Sequence, residues 1–379
     1  MFDVAVVTPT ILRPTLLRAA RSVFAQDHPG RIQFLIGIDK PLHDPSVLDA
    51  VRAECPPHVT LTILDLGYST SVRHGGLYSN TYGGALRTIL SYAADSRYVA
   101  YLDDNDWHAG DHLSSLLKAV EGHHWAYSRR WLADPLTERP ICRDEWDAIG
   151  PGQGINQKRF GGFVHPSALL LDKMACHFVL PQWCLAAFAD GSGEDRRVFR
   201  ELNASHPGAA TGRYSCCTIL SEEAVRDDHH AREFRSRGLH WVFDRTLGDA
   251  ADRQFDQMRQ AYREGRYGDA VTIGDRILSA VPTHAPALKE RARAAWKAGR
   301  RDVALDSIRR AVEVDDTDEA AQALFIRLLA QAGDGLQACR AIARARVRFP
   351  RSRMLNDLHD RLFTEVDTPF EWPHADDGA

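Results

Sequence analysis

Cysteine is scarce in this chain: seven residues in 379, at no regular spacing, two of them adjacent (Cys216-Cys217) and none in a CxxC pair. That argues against a disulfide framework and a thiolate zinc site, and fits a chain kept reduced in a cytoplasm. Long apolar runs are missing as well. The most apolar stretch, 167–189, is interrupted by Asp172, Lys173, His177 and Pro181, so no integral membrane segment is expected. The opening MFDVAVVTPT carries Asp3 and no basic residue, which is not the pattern of a signal peptide. An excess of positive charge is also lacking. The formal net charge of -4 argues against a nucleic-acid partner.

The near-neutral total hides a split. The first ~250 residues carry about five net negative charges, 253–365 about five net positive, and the last fourteen about four net negative. The length exceeds one ordinary core, which implies two or three domains.

Apolar, β-branched runs open the chain at 3–8 (DVAVVT), 32–39 (IQFLIGID), 59–65 (VTLTILD) and 98–104 (YVAYLDD). Between and after them lie stretches with helical spacing, 13–26, 81–95 and 111–120. In the first, Leu16, Leu17, Ala20, Val23 and Phe24 share a face. Strands alternating with helices predict an α/β domain with a mostly parallel, Rossmann-like sheet. Ligands of such sheets sit beyond the carboxyl ends of the strands. Those ends read Thr8, Asp39, Asp65 and Asp103-Asp104, so polar side chains gather at one edge.

The last third is periodic. Gly265, Gly299 and Gly333 recur every 34 residues, and so do Ala270, Ala304 and Ala338. Pro282, Asp316 and Pro350 fall at equivalent turns. This period, with these residues in these places, resembles the tetratricopeptide repeat. Arg291 stands where the second repeat would carry a small residue. The expected organisation is an α/β domain over 1–240, a linker over 241–252, helical repeats over 253–365 and an acidic tail over 366–379 with the composition of a disordered segment.

The chemistry centres on Asp103-Asp104-Asn105-Asp106. Like charges this close repel. Either a solvated turn relieves them, or a divalent Mn²⁺ or Mg²⁺ ion does, completed by substrate phosphates. The segments VVTPT, RSVFAQ, LIGID and GGALRTILSYAADSRYVAYLDDND together resemble family 2 glycosyltransferases of the GT-A fold. Their spacing is similar to that of spore-coat polysaccharide glycosyltransferases. The resemblance covers about 1–235. It implies that Thr8, with Pro9 beside it, and Asp39 hold the nucleoside, that Asp103 holds the ribose or sugar, and that Asp104 holds the metal.

In GSGEDRRVFREL, Glu194 and Asp195 fit the first turn of a helix, facing the positive end of its dipole. The resemblance adds a general base at Asp195, with Glu194 in the substrate site beside it. Arg13 and Arg73 are candidates for the diphosphate, since a guanidinium forks onto phosphate oxygens. His229-His230 lies either in a polar loop or, as in some relatives, against the metal. His165 faces either an acceptor or the core. The whole implies an inverting, metal-dependent transferase moving sugar from a nucleotide-sugar donor, UDP-linked, to a saccharide or protein acceptor. A protein partner on the repeats is also expected. The alternative is a repeat-based interaction scaffold whose first domain has lost catalysis, a reading that rests on IDKP at 38–41.

Overall fold

The α/β order expected for the first two-thirds follows from how its apolar residues pair. In the computed structural model, β1 (Phe2–Thr10), β2 (Ile32–Ile38), β3 (Val59–Asp65) and β4 (Ser96–Tyr101) run parallel in the order β3-β2-β1-β4. The structure describes all residues except 81, 135–137, 221–227, 240–241, 243–244, 317 and 365–379, and the side chains at 228, 229, 245, 363 and 364. The acidic tail therefore lies outside the described residues.

Three helices follow the first strands: α1 (Leu16–Phe24), α2 (Val47–Glu54) and α3 (Gly84–Ala93). In α1 the buried set is Leu16, Ala19, Ala20, Val23 and Phe24, a stripe at helical spacing that packs on the sheet. Leu17, expected on that face, is only half-buried. Alternation along the strands feeds two cores. Val99 and Tyr101 enter one, Ala100 and Leu102 the other.

Beyond β4 the sheet is mixed rather than mostly parallel. The remaining strands are β5 (Trp107–His108), β6 (Trp125–Ala133), β7 (Pro140–Arg143), β8 (Gly150–Pro151), β9 (Gly162–Phe163), β10 (Leu169–Asp172) and β11 (Ala209–Ile219). Strand β10 runs antiparallel to both β4 and β6, and β11 lies parallel to β6. Among the described residues between β6 and β10 there is no helix longer than the four-residue Gln157–Phe160, so no helical crossover sets β10 parallel to its neighbours. Helix α4 (His112–Ala119), the short α5 (Gln157–Phe160) and α6 (Glu194–Ser205) complete the elements around the site.

The chain divides into compact units at 1–243 and 244–379. The second is all helical: Arg245–Arg263, Tyr267–Ala280, Ala285–Lys297, Arg301–Val314, Glu319–Gln331, Gly335–Arg348 and Arg353–Thr364. Residues 245–252, expected as linker, are instead the first turns of a helix, because Ala251, Met258 and Ala261 continue one buried stripe. Gly265, Gly299 and Gly333 close the first helix of each pair at φ of 77°, 75° and 86°, where a side chain would be strained. Ala270, Ala304 and Ala338 are fully buried at the helix crossings. Arg291 is accommodated rather than excluded. It bonds Asp275 and Ser307, and Gly274 opposite leaves room for its stem.

Candidate active site

The strand order reverses at β1: β2 and β3 lie on one side of it and β4 on the other. The crevice beyond the carboxyl ends of β1 and β4 is the switch point of the sheet. The acidic cluster sits there, and strand alternation continues into it. Asp103 follows Tyr101 to one face and Asp104 follows Leu102 to the other. Asp104 is buried, with Oδ2 accepting from Thr10 Oγ1 at 2.7 Å and Oδ1 from Arg13 Nη1 at 2.6 Å. Asp103 accepts from Arg87 Nη2 at 2.5 Å. Asp106 is folded back by a turn onto the Asp103 carbonyl. It accepts from Ser167 Oγ at 2.7 Å, Thr218 Oγ1 at 3.3 Å and the Ile219 N–H at 3.2 Å. Arginines and donated hydrogen bonds thus offset much of the repulsion between the three carboxylates.

Arg87 joins this edge to α6. Its guanidinium is buried over the ring of Trp183, with Nη1 2.8 Å from the Tyr82 carbonyl and 3.5 Å from Glu194 Oε1. Gly193 caps α6 at φ 82°, and a Cβ there would lie 2.6 Å from the Phe188 ring. The turn delivers Glu194 and Asp195 to the helix start. Burial, and then the charge of Asp195, push Glu194 up to about 7, with Arg87 opposing. Asp195 is partly open to solvent. It accepts from the N–H of Arg196 at 2.7 Å and pairs with that residue's guanidinium at 3.1 Å.

A second buried arginine, Arg130 on β6, bridges Asp144 at 2.7 Å and Asp147 at 2.6 Å. Burial and then Asp103 push Asp106 up to about 8. Burial holds His165 well below its ordinary range, with Arg130 adding to the effect, so its imidazole is neutral. Its Nδ1 lies 3.6 Å from Asp106 Oδ2. Carboxylates outnumber guanidiniums here, and a neutral imidazole is a good metal ligand. Asp103, Asp106 and His165 each offer one donor atom, all within 4.8 Å of one another. This mixed oxygen and nitrogen set fits a divalent cation, Mn²⁺ more readily than Mg²⁺. Asp104 is not in the group, because alternation turns it to the opposite face.

The other expected residues divide. Thr8 is buried, and its Oγ1 has no partner among the described residues. Pro9 packs under Gly83. Asp39 accepts from Ser69 Oγ at 2.8 Å and from the N–H of Thr70 at 3.0 Å, so it lashes the loop after β3 to the end of β2. Arg13 is taken up by Asp104. Arg73 is exposed on the short turn Val72–His74. The side chain of His229 lies outside the described residues. His230 accepts from Trp146 Nε1 at 3.0 Å. Trp125, Trp131, Trp146 and Trp183 are core, and Trp107 stacks under Arg18 at 4.1 Å.

Arg87 and Arg130 were given no role in the sequence, and Asp106 entered only as part of the acidic cluster, yet each left a signal. Arg87 shares a buried helix face with Leu90 and Ser91, and Arg130 directly precedes the buried apolar run Trp131–Ala133 of β6. Asp106 is the last acid of the cluster itself.

No family model matches the sequence, and no curated protein matches it. Among solved structures, the chain is similar to residues 1–349 of Staphylococcus aureus TarS in complex with UDP. Identity is 11%, coverage 95% of this chain and 91% of that one, and TM-score 0.41. Its helical part is similar to the second TPR domain of human RPAP3 in complex with an HSP70 peptide (18% identity, 31% and 98% coverage, TM-score 0.29). It is also similar to the Arabidopsis OM64 TPR domain (16% identity, 32% and 99% coverage, TM-score 0.30). Likeness at these scores adds nothing to the functional reading, which stands on the side chains.

Proposed function

We propose that residues 1–243 form a metal-dependent, inverting glycosyltransferase, family 2-like, that takes sugar from a nucleoside-diphosphate donor, with UDP-linked sugars the first to try. The observation that carries this reading is the convergence, at the switch point of the sheet, of Asp103 with Glu194-Asp195 through buried Arg87. A lone acidic turn needs no arginine that also reaches Glu194, 107 residues beyond that arginine in the chain.

Asp103, Asp106 and His165 would hold the cation, which when bound supplies a Lewis acid against charge growing on the diphosphate. Arg73, exposed at the same sheet edge, is available to the diphosphate. Thr8 is wholly buried on the Val4–Val6 face of β1, so a contact with the nucleoside would need its Oγ1 uncovered. Asp195, partly open to solvent at the start of α6, takes the proton of the acceptor hydroxyl as that oxygen attacks the anomeric carbon. The new C–O bond forms as the bond to the diphosphate breaks, and the nucleoside diphosphate leaves with the electron pair. Arg196 keeps Asp195 oriented. The acceptor is a saccharide or protein hydroxyl, and the helical unit offers a surface for a protein partner.

The test is Asp195→Asn. Donor binding and melting temperature should be retained while turnover of the nucleotide sugar falls about 10²–10⁴-fold. Turnover within a few-fold of the parent would contradict the assignment and leave Asp195 as a helix-start carboxylate only.

A further inference from the structure

The exposed large apolar side chains of the α/β unit are not scattered evenly. Among the described residues, six of the twelve, Leu42, Tyr68, Val72, Leu77, Tyr78 and Tyr82, come from just two loops, 40–46 after β2 and 66–83 after β3. Asp39 ties the roots of these loops together through Ser69 and Thr70, so they leave the sheet side by side, at the edge that holds the acidic cluster.

The second loop is built to hold these side chains outward. The N–H of Val72 donates to the Tyr78 carbonyl at 2.9 Å, that of Tyr78 to the Thr70 carbonyl at 3.0 Å, and that of Gly76 to the Ser71 carbonyl at 2.8 Å. Ser71 Oγ anchors the far side on the Asn80 carbonyl at 2.6 Å. Gly76 is required, since a Cβ there would lie 2.3 Å from the Thr70 carbonyl carbon. Leu77 stands at the tip, 94% exposed. Water penalises such a display, so a nonaqueous partner is implied.

Charge narrows the partner. Residues 66–83 contain no Asp or Glu and carry Arg73 and His74. Lys40 and His43 lie on the companion loop, whose one acid, Asp44, is held in its own turn by the N–H of Ser46. Aliphatic tips, tyrosines around them and cations at the margin match the layers of an anionic bilayer surface: hydrocarbon, interface and headgroup. A saccharide would instead call for polar side chains at the tip, where Leu77 and Val72 stand.

We propose that loops 40–46 and 66–83 form a peripheral lipid-contact face that seats the sheet edge against an anionic membrane. No helix among the described residues is long and apolar enough to cross a membrane, so these loops would carry the contact. The proposal does not depend on the transfer chemistry.

The experiment is co-sedimentation of the full-length protein with phosphatidylcholine vesicles containing about 30 mol% phosphatidylglycerol, and with phosphatidylcholine alone. The parent should pellet with the anionic vesicles and much less with the neutral ones. Leu77→Ser, whose side chain is almost wholly in water, should melt like the parent and lose about tenfold in partition. Lys40→Gln should weaken partition to anionic vesicles only. Equal pelleting of parent and Leu77→Ser, or no pelleting of the parent, overturns the proposal. So does a Leu77→Ser defect in binding a soluble oligosaccharide without vesicles, or in self-association, since either reassigns the face.

Discussion

Arg87 and Arg291 both stand on helix faces that pack inward, and the two regions treat them differently. In the helical unit, Arg291 reaches Asp275, itself half in water, and Ser307, each sixteen residues away. Gly274 gives the space, and the charge keeps a solvated counterpart. In the α/β unit, Arg87 is buried between Asp103 and Glu194, which come from two separate elements. Repeats absorb a misfit residue locally, whereas the sheet edge gathers charge from across the chain. Desolvating so many ionised groups is costly and gives weak stability in return. Retaining them makes physical sense where their charge acts on a ligand.

Three substitutions sharpen that contrast. Arg87→Met should have the largest effect on folding, about 3 kcal/mol in urea unfolding, because it leaves Asp103 and Glu194 without a counter-charge. A loss below about 1 kcal/mol would make Arg87 an ordinary surface-grade pair.

Next comes the pH response. Glu194 titrates near 7 when folded against 4.5 ordinarily. The folded state therefore holds a proton that the unfolded chain has released. The contribution of Glu194 to stability falls as pH rises from about 4.5 through 7, and the penalty is complete above 7. Glu194→Gln should gain on the parent by about 2–3 kcal/mol between pH 5 and pH 8. A difference that does not change with pH would mean that Arg87 keeps Glu194 ionised throughout.

Arg291→Ala should cost least, about 1 kcal/mol, and leave nucleotide binding and turnover untouched. A turnover defect in that variant would erase the distinction between the regions.

The repeats were legible because their grammar is local. A glycine with positive φ, an alanine at a crossing and a fixed interval are all visible in one dimension, and Gly265, Gly299 and Gly333 occupy the expected turns. The four parallel strands were legible for the same reason. Long-range pairing was not. Nothing near β10 says that it will lie antiparallel between β4 and β6. Nor does the sequence state that Arg130 will meet Asp144 and Asp147, or that His165 will come up against Asp106. The expectation that Asp104 holds a metal shows where residue order and geometry part. The resemblance supplied an order of residues, but the alternation of β4, readable from Tyr101 and Leu102, sends Asp104 to Thr10 and Arg13.

The most direct test of the central claim is the thermal stability of the full-length protein with UDP and other nucleoside diphosphates, with and without Mn²⁺. The account predicts that one diphosphate, at about a hundred times its dissociation constant, adds roughly 2.7 kcal/mol of stability only when Mn²⁺ is present. It predicts further that Asp103→Ala loses this Mn²⁺ dependence while Asp104→Ala keeps it. No stabilisation by any diphosphate, or Mn²⁺ dependence that survives Asp103→Ala and disappears in Asp104→Ala, would contradict it.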